Sequence, residues 1–148
     1  MNIIGPDDLV FSVEDAAACN QYLVDYGLTP VKLSGGRTRY EALDGTGVVL
    51  APADDRDLPP PCSATSAFRE TVYGVADEST LEKIAAELRR DREIRQGADG
   101  VLHSVDDMGF GIAFRKSRRR AIGAARAPNV SSGKRPGDDV AATPDRVV

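Results

Sequence analysis

Histidine and cysteine, the side chains that move protons near neutrality or bind soft metals, are scarce in this 148-residue sequence. There is one histidine, His103, and there are two cysteines, Cys19 and Cys62. A lone imidazole acts as a general base when a nucleophile or an orienting acid stands beside it. The sequence places no such neighbour at His103, so a surface or hydrogen-bonded strand histidine is the expected state. Two isolated cysteines make neither a disulfide framework nor a zinc motif, and both are expected as free thiols, Cys19 buried on a helix. The carboxylates of Asp8 and Glu70 each open a segment of alternating polarity. As a pair they would suit acid/base transfer or a hard cation; acids at strand starts are ordinarily solvated or capping, and that is the expectation. Arg115-Lys116-Ser117-Arg118-Arg119-Arg120 is a basic cluster that would suit a phosphate or an acidic partner. It lacks the interleaved aromatics of a nucleic-acid reader and is expected as a solvated strand end.

The elements that must position these groups form a repeat. Asp8-Leu9-Val10-Phe11-Ser12-Val13-Glu14-Asp15 and Glu70-Thr71-Val72-Tyr73-Gly74-Val75-Ala76-Asp77 alternate in the same way, 62 residues apart. The same shift, without a gap, relates Asp44-Gly45-Thr46-Gly47-Val48-Val49-Leu50-Ala51 to Asp106-Asp107-Met108-Gly109-Phe110-Gly111-Ile112-Ala113. Leu9, Phe11 and Val13 are expected to bury one strand face against a helix. That helix carries Ala18, Cys19, Tyr22, Leu23 and Tyr26 on one side and stops at Gly27 and Pro30. Its counterpart carries Leu81, Ile84, Ala85 and Leu88, with Ser79 and Glu82 spaced as a capping box. Three short strands follow each helix, at 31–34, 38–42 and 48–51, then at 93–96, 101–104 and 109–115, separated by glycine turns. The prediction is one α+β domain over 1–118, made of two βαβββ modules at about 8–52 and 69–117. A proline-stiffened connector, 53–68, joins them, and a tail at 119–148 lacks periodicity and is expected to be disordered.

With 41% hydrophobic and 28% charged residues, the chain has material for one ordinary core. A net charge of −4 argues against a general nucleic-acid binder. The N-terminus has no signal-peptide pattern and no apolar run is long enough to span a bilayer, so the expected location is cytoplasmic, with no membrane partner.

Paired units of this order resemble the vicinal oxygen chelate superfamily of glyoxalases, bleomycin-resistance proteins and extradiol ring-cleaving dioxygenases. The second unit, with Glu70-Thr71-Val72-Tyr73-Gly74-Val75-Ala76-Asp77 and Gly100-Val101-Leu102-His103-Ser104, is most similar to the non-catalytic amino-terminal module of two-domain catechol dioxygenases. The resemblance implies a half-closed curved mixed sheet and a role in aromatic compound catabolism. It also implies a metal site at four inward positions on the first and last strands of the two units. The shift of 62 puts Asp8 and Glu70 at the first-strand positions and Ala51 and Ala113 at the last-strand positions. An alanine methyl group donates no electron pair, so no metal cofactor is expected.

Three functions follow from the resemblance. One is a binding or assembly module whose partner is a second copy of itself or a related catalytic subunit, giving an oligomer. Another is a metal-free binder or resistance protein for a small aromatic or apolar ligand, with Tyr40, Phe68, Tyr73, Phe110 and Phe114 as candidate walls; ordinary core packing is the competing expectation for these aromatics. The third is an active extradiol dioxygenase or glyoxalase-type lyase with Fe(II) or another divalent ion, which requires ligands from outside the chain or a misaligned repeat.

Overall fold

The computed structural model describes residues 2–61, 63, 67–97 and 99–122. Cys62 and most of the expected tail, 123–148, lie outside the described residues. Ten elements follow one another: β1 (Ile3–Val13), α1 (Ala16–Tyr26), β2 (Thr29–Lys32), β3 (Thr38–Glu41), β4 (Gly47–Pro52), β5 (Phe68–Val75), α2 (Glu78–Leu88), β6 (Arg95–Gln96), β7 (Leu102–Val105) and β8 (Gly111–Lys116). The βαβββ order thus occurs twice.

All eight strands join one mixed sheet in the order β2-β3-β4-β1-β5-β8-β7-β6. Each module closes with a parallel pair, β1 on β4 and β5 on β8. The modules meet through an antiparallel pairing of β1 with β5, where Val10 faces Glu70, Leu9 faces Thr71 and Asp8 faces Val72. The two first strands are therefore central, and Asp8, Val10, Glu70 and Val72 on them are buried. β1 begins at Ile3, five residues before Asp8, so that aspartate sits in mid-strand rather than at a strand start.

Both helices begin alike. Asp15 accepts a hydrogen bond from the Ala18 amide at 2.9 Å, and Asp77 accepts one from the Thr80 amide at 2.7 Å. These aspartates follow the preceding strands by two residues and satisfy amides that the first helical turn leaves bare. The cap of α2 is therefore Asp77, not the expected Ser79: Asp77 is still extended and the chain is already helical at Glu78.

The helices end differently, and this corrects the ungapped repeat. Gly27 adopts φ 111°, a left-handed conformation open to glycine, and Leu28 donates back to the Leu23 carbonyl at once. No glycine follows α2. Arg89 stays right-handed, and the amides of Arg90, Asp91 and Arg92 keep returning to Glu87 and Leu88. The second module spends two more residues on this turn. From there on the shift is 64: the β3–β4 turn, closed by Ala42 and Gly45, matches the β7–β8 turn, closed by Asp106 and Gly109. Strand registers agree, since Asp8 pairs with Gly47 where Glu70 pairs with Gly111.

Two apolar clusters lie under the helices. Val75, Leu81, Ile84, Ala85, Leu102 and Phe114 form one with α2. Leu28, Tyr40 and Leu50 form the other with α1, together with half-buried Phe11, Val13, Cys19 and Leu23. Leu9 departs from expectation: it is 38% exposed and lies in a groove shared with Tyr26 at the end of α1. A third cluster, on the face turned away from the helices, gathers Val10, Val49, Ala51, Val72, Val101 and Ala113 around Leu58 of the connector.

Candidate functional site

Directly paired strand residues point to the same side of a sheet, so the registers assign the side chains. Arg39, Val49, Val10, Glu70, Val72, Ala113 and His103 share the face away from the helices, joined there by Asp8 and Arg115. Tyr40, Tyr73 and Phe114 alternate with them and pack beneath the helices: Tyr40 is 2% exposed, and Tyr73 stacks on Phe114 at 5.7 Å. Phe68 meets Phe11 edge-on at 5.6 Å. Phe110 is half-buried in the turn before β8. These five aromatics do not converge on one cavity.

The site face is filled by the connector rather than left open. Leu58 packs against Ala51, Ala113 and the valines of β1, β4 and β5. Three arginines hold the segment in place. Arg69 donates to the carbonyls of Pro59 at 2.6 Å, Asp55 at 3.2 Å and Leu58 at 3.3 Å, while its remaining nitrogen reaches Ser12 Oγ at 2.9 Å. Arg37 makes a two-point ion pair with Asp55, at 2.6 and 2.9 Å, which holds the Asp55 carboxyl below its usual range. Arg95 donates to the Asp57 carbonyl. Gly111 completes the seat, since a Cβ there would collide with the Arg69 carbonyl and stand 2.5 Å from Pro59 Cγ.

Two charged groups flank this apolar centre. Asp8, 3% exposed, sits between Arg39 Nε at 2.8 Å and Arg115 Nη2 at 2.8 Å. Neighbouring Asp7, 2% exposed, takes Arg119 Nε at 2.9 Å and Ser117 Oγ at 3.2 Å. Gly74 makes room for it, because a Cβ there would lie 2.5 Å from Asp7 Oδ1. Arg39 extends to Glu41 and to the Gly45 carbonyl, and Arg120 also binds Glu41. Burial holds the Arg115 guanidinium below the ordinary arginine range, against the pull of Asp8. In the second group Glu70, 1% exposed, faces His103 Nδ1 at 2.9 and 3.1 Å.

These observations correct three expectations. Asp8 and Glu70 are not solvated or capping; Asp8 is buried against two guanidinium groups and Glu70 against the His103 imidazole. His103 does have an orienting acid, brought 33 residues along the chain by the pairing of β5, β8 and β7. The basic cluster is not a solvated strand end: Arg115, Arg119 and Arg120 bind Asp8, Asp7 and Glu41, so residues 119 and 120, assigned to the tail, belong to the fold. Of the partners that sequence reasoning passed over, Arg39 left a signal, because the charge alternates with buried Tyr40 in mid-strand. Leu58, the one large apolar residue between Asp57 and Pro59-Pro60-Pro61, left another.

The corrected shift also moves one metal position. Val49 pairs with Val10 as Ala113 pairs with Val72, so Val49 is the true counterpart of Ala113, and Ala51 corresponds to Arg115. The misalignment that would have been needed to recover a ligand exists, and it substitutes one aliphatic side chain for another. Among the described residues, no three His, Cys, Asp or Glu side chains converge into a set able to hold a metal ion. The donors present do not fit a divalent ion: two positions are aliphatic and the two carboxylates are committed to Arg39, Arg115 and His103.

No protein-family model matches the chain, and no curated protein matches it by sequence. Solved structures do. An extradiol ring-cleaving dioxygenase from Brevibacterium fuscum superposes with a TM-score of 0.61 at 16% identity, covering 81% of this chain and 34% of the enzyme. Homoprotocatechuate 2,3-dioxygenase from Arthrobacter globiformis gives 0.60 at 17% identity, over 81% of this chain and 38% of the enzyme. The 2,2',3-trihydroxybiphenyl 1,2-dioxygenase of Sphingomonas wittichii strain RW1 gives 0.56 at 19%, over 80% and 43%. The fold is thus the α+β vicinal oxygen chelate fold, and the chain spans well under half the length of these enzymes. Among the described residues no helix is long and apolar enough to cross a membrane.

Proposed function

We propose that this chain is a binding or assembly module of the extradiol dioxygenase type, similar to the non-catalytic amino-terminal part of such enzymes, and that it works without a metal of its own. The observation that carries this reading is Leu58: an apolar side chain from the connector shares one buried cluster with Val49 and Ala113, the positions where the fold's metal donors would converge. Refilling that space with a metal and a substrate would mean withdrawing Leu58 and breaking the hydrogen bonds of Arg69 to the connector backbone. Its partner is a related catalytic chain or a second copy, in the cytoplasm and in the degradation of aromatic compounds. The first module supports an assembly role, with Tyr22, Tyr26 and Leu43 each more than half exposed and Leu9 beside a groove shared with Tyr26.

The test is purification in the presence of Fe(II), followed by metal analysis, ring-cleavage assays on simple catechols and sedimentation. Oligomer or complex formation without stoichiometric iron and without turnover is expected. One iron per chain with turnover would sink the reading.

A metal-free aromatic binder is a second reading, favoured by one cavity of about 630 Å³ between the first turns of α1 and the edge of β3 and β4. Tyr40 lies in its wall, and burial raises its phenol above the ordinary range, keeping the hydroxyl a neutral donor to Asn20 Oδ1 at 2.9 Å. A rise in melting temperature with an aromatic panel, lost in Tyr40→Leu, would select this reading.

A further inference from the structure

The Glu70–His103 pair belongs to no step of the assembly reading, yet it is built as a site. Glu70 is almost completely buried and fixes the imidazole through Nδ1. The opposite ring edge, Nε2, has no hydrogen-bond partner among the described residues, and the ring remains 19% exposed. Gly97 lies beside that edge: a Cβ there would stand at ordinary contact distance, 3.5 Å, from Nε2, and 2.6 Å from Asp99 Oδ1. A cavity of about 370 Å³ opens over the pair. Its walls are of two kinds. Leu58, Pro59 and Ile94 offer an apolar surface, while Arg56 and Arg95 bring guanidinium groups that no carboxylate among the described residues engages.

We propose that this cavity binds a small organic acid, a single carboxylate on a compact apolar body. As imidazolium, His103 donates Nδ1–H to Glu70 and Nε2–H to the ligand carboxylate, with Arg56 or Arg95 supplying a second charge-assisted hydrogen bond. The apolar body lies on Leu58, Pro59 and Ile94 and loses water there. Glu93 and Asp57 also face the cavity and oppose an anion. Both are exposed to solvent, and Asp57 lies 3.8 Å from Arg37, whereas Glu70 and His103 hold each other in place. Hence the ligand meets a fixed donor and a screened repulsion. The inference goes beyond the assembly reading and does not depend on it.

His103 is the single histidine of the chain, so its ring nitrogens give one resolvable signal in the full-length 15N-labelled protein. Titration with sodium benzoate in the presence of EDTA should shift Nε2 saturably, with a Kd of about 1 mM, the range of one charge-assisted contact plus a buried ring. Benzamide, the neutral isostere, should not saturate, and acetate should bind more weakly than benzoate. His103→Gln should abolish benzoate binding. Glu93→Gln, on the exposed rim, should tighten it roughly threefold by removing one screened negative charge, and it serves as the test if His103→Gln fails to fold. No saturable shift by about 10 mM benzoate, equal binding of benzamide, or weaker binding in Glu93→Gln would each overturn the proposal. A shift that appears only with added Fe(II) would overturn it too, and would overturn the metal-free reading as well, whereas silence without metal leaves that reading standing.

Discussion

The two modules solve one structural problem with different chemistry. Each buries an acid of its first strand against a nitrogen base of its third, at positions related by the repeat: Asp8 with the Arg39 guanidinium, Glu70 with the His103 imidazole. Asp8 receives a second cation, Arg115 from the last strand of the other module, and Asp7 and Glu41 extend the network to Arg119 and Arg120. The counterpart of Arg115 beside Glu70 is Ala51, a methyl group. One module thus holds fixed charges that cannot change sign near neutrality; the other holds one titratable partner and an apolar void that Leu58 fills. A duplicated backbone has been left with a brace on one side and an addressable site on the other.

The largest expected effect separates brace from site. Asp8→Asn leaves Arg39 and Arg115 buried without their shared counter-charge, and removing one partner of a buried ion pair costs about 3–5 kcal/mol. Glu70→Gln leaves His103 Nδ1 an amide to bond in place of the carboxylate, a loss of about 1–2 kcal/mol. Urea unfolding of both variants measures the ratio. Equal losses would mean that Glu70 and His103 are as much a brace as Asp8, and the contrast between modules would fall.

The helices carry the same contrast into packing. α2 buries Thr80, Leu81, Ile84 and Ala85, while no residue of α1 is fully buried. Ile84→Ala should therefore cost about 2–4 kcal/mol, and Tyr22→Ala, two-thirds exposed, less than about 0.5 kcal/mol. If Tyr22→Ala instead weakens self-association or binding to a catalytic partner, seen by sedimentation at unchanged stability, the bare face of α1 is the interface.

How far the sequence disclosed this arrangement depends on the distance over which each feature is decided. The order of strands and helices was legible, because period-two and near-period-four patterns and the aspartates at 15 and 77 are local. The two-residue slip was not, because it arises where a missing glycine lets α2 run on into Arg89–Arg92, and an ungapped match of turn motifs hides it. The buried state of Asp8 and Glu70 was illegible for a different reason. Their strands lie at the centre of one sheet, and only the β1–β5 pairing, which no local pattern records, removes them from water. Arg115, at the end of a basic run, was read as solvated for the same reason.

Leu58 tests whether the void in the second module belongs to the connector. Leu58→Ala should cost about 2–3 kcal/mol and leave an apolar cavity beside Ala51 and Ala113. Such a cavity stays dry and takes up small apolar guests, so a benzene-saturated solution should return part of the lost stability, by thermal unfolding. A loss below about 0.5 kcal/mol would show that the connector merely lies on the sheet.

The smallest effect concerns the connector's other anchor. Arg37 lowers the Asp55 carboxyl in the folded chain, so the folded state holds this proton less tightly than the unfolded state does. Its stabilisation is complete above the ordinary aspartate value of about 4 and is lost as pH falls through the lower folded value. Asp55→Asn removes that dependence. The variant should unfold more readily than the parent at pH 7, and the difference should close below about pH 4, as the parent's own carboxyl protonates. Arg69, bonded to neutral carbonyls of the same segment, has no such partner to titrate, so Leu58 should stay seated in acid until the fold itself gives way. Hydrogen exchange along 53–58 at pH 7 and at about pH 2, well below the ordinary aspartate range, decides the point: protection lost over the whole segment at the lower pH would make Asp55, rather than Arg69 and Leu58, the latch that keeps the second module closed.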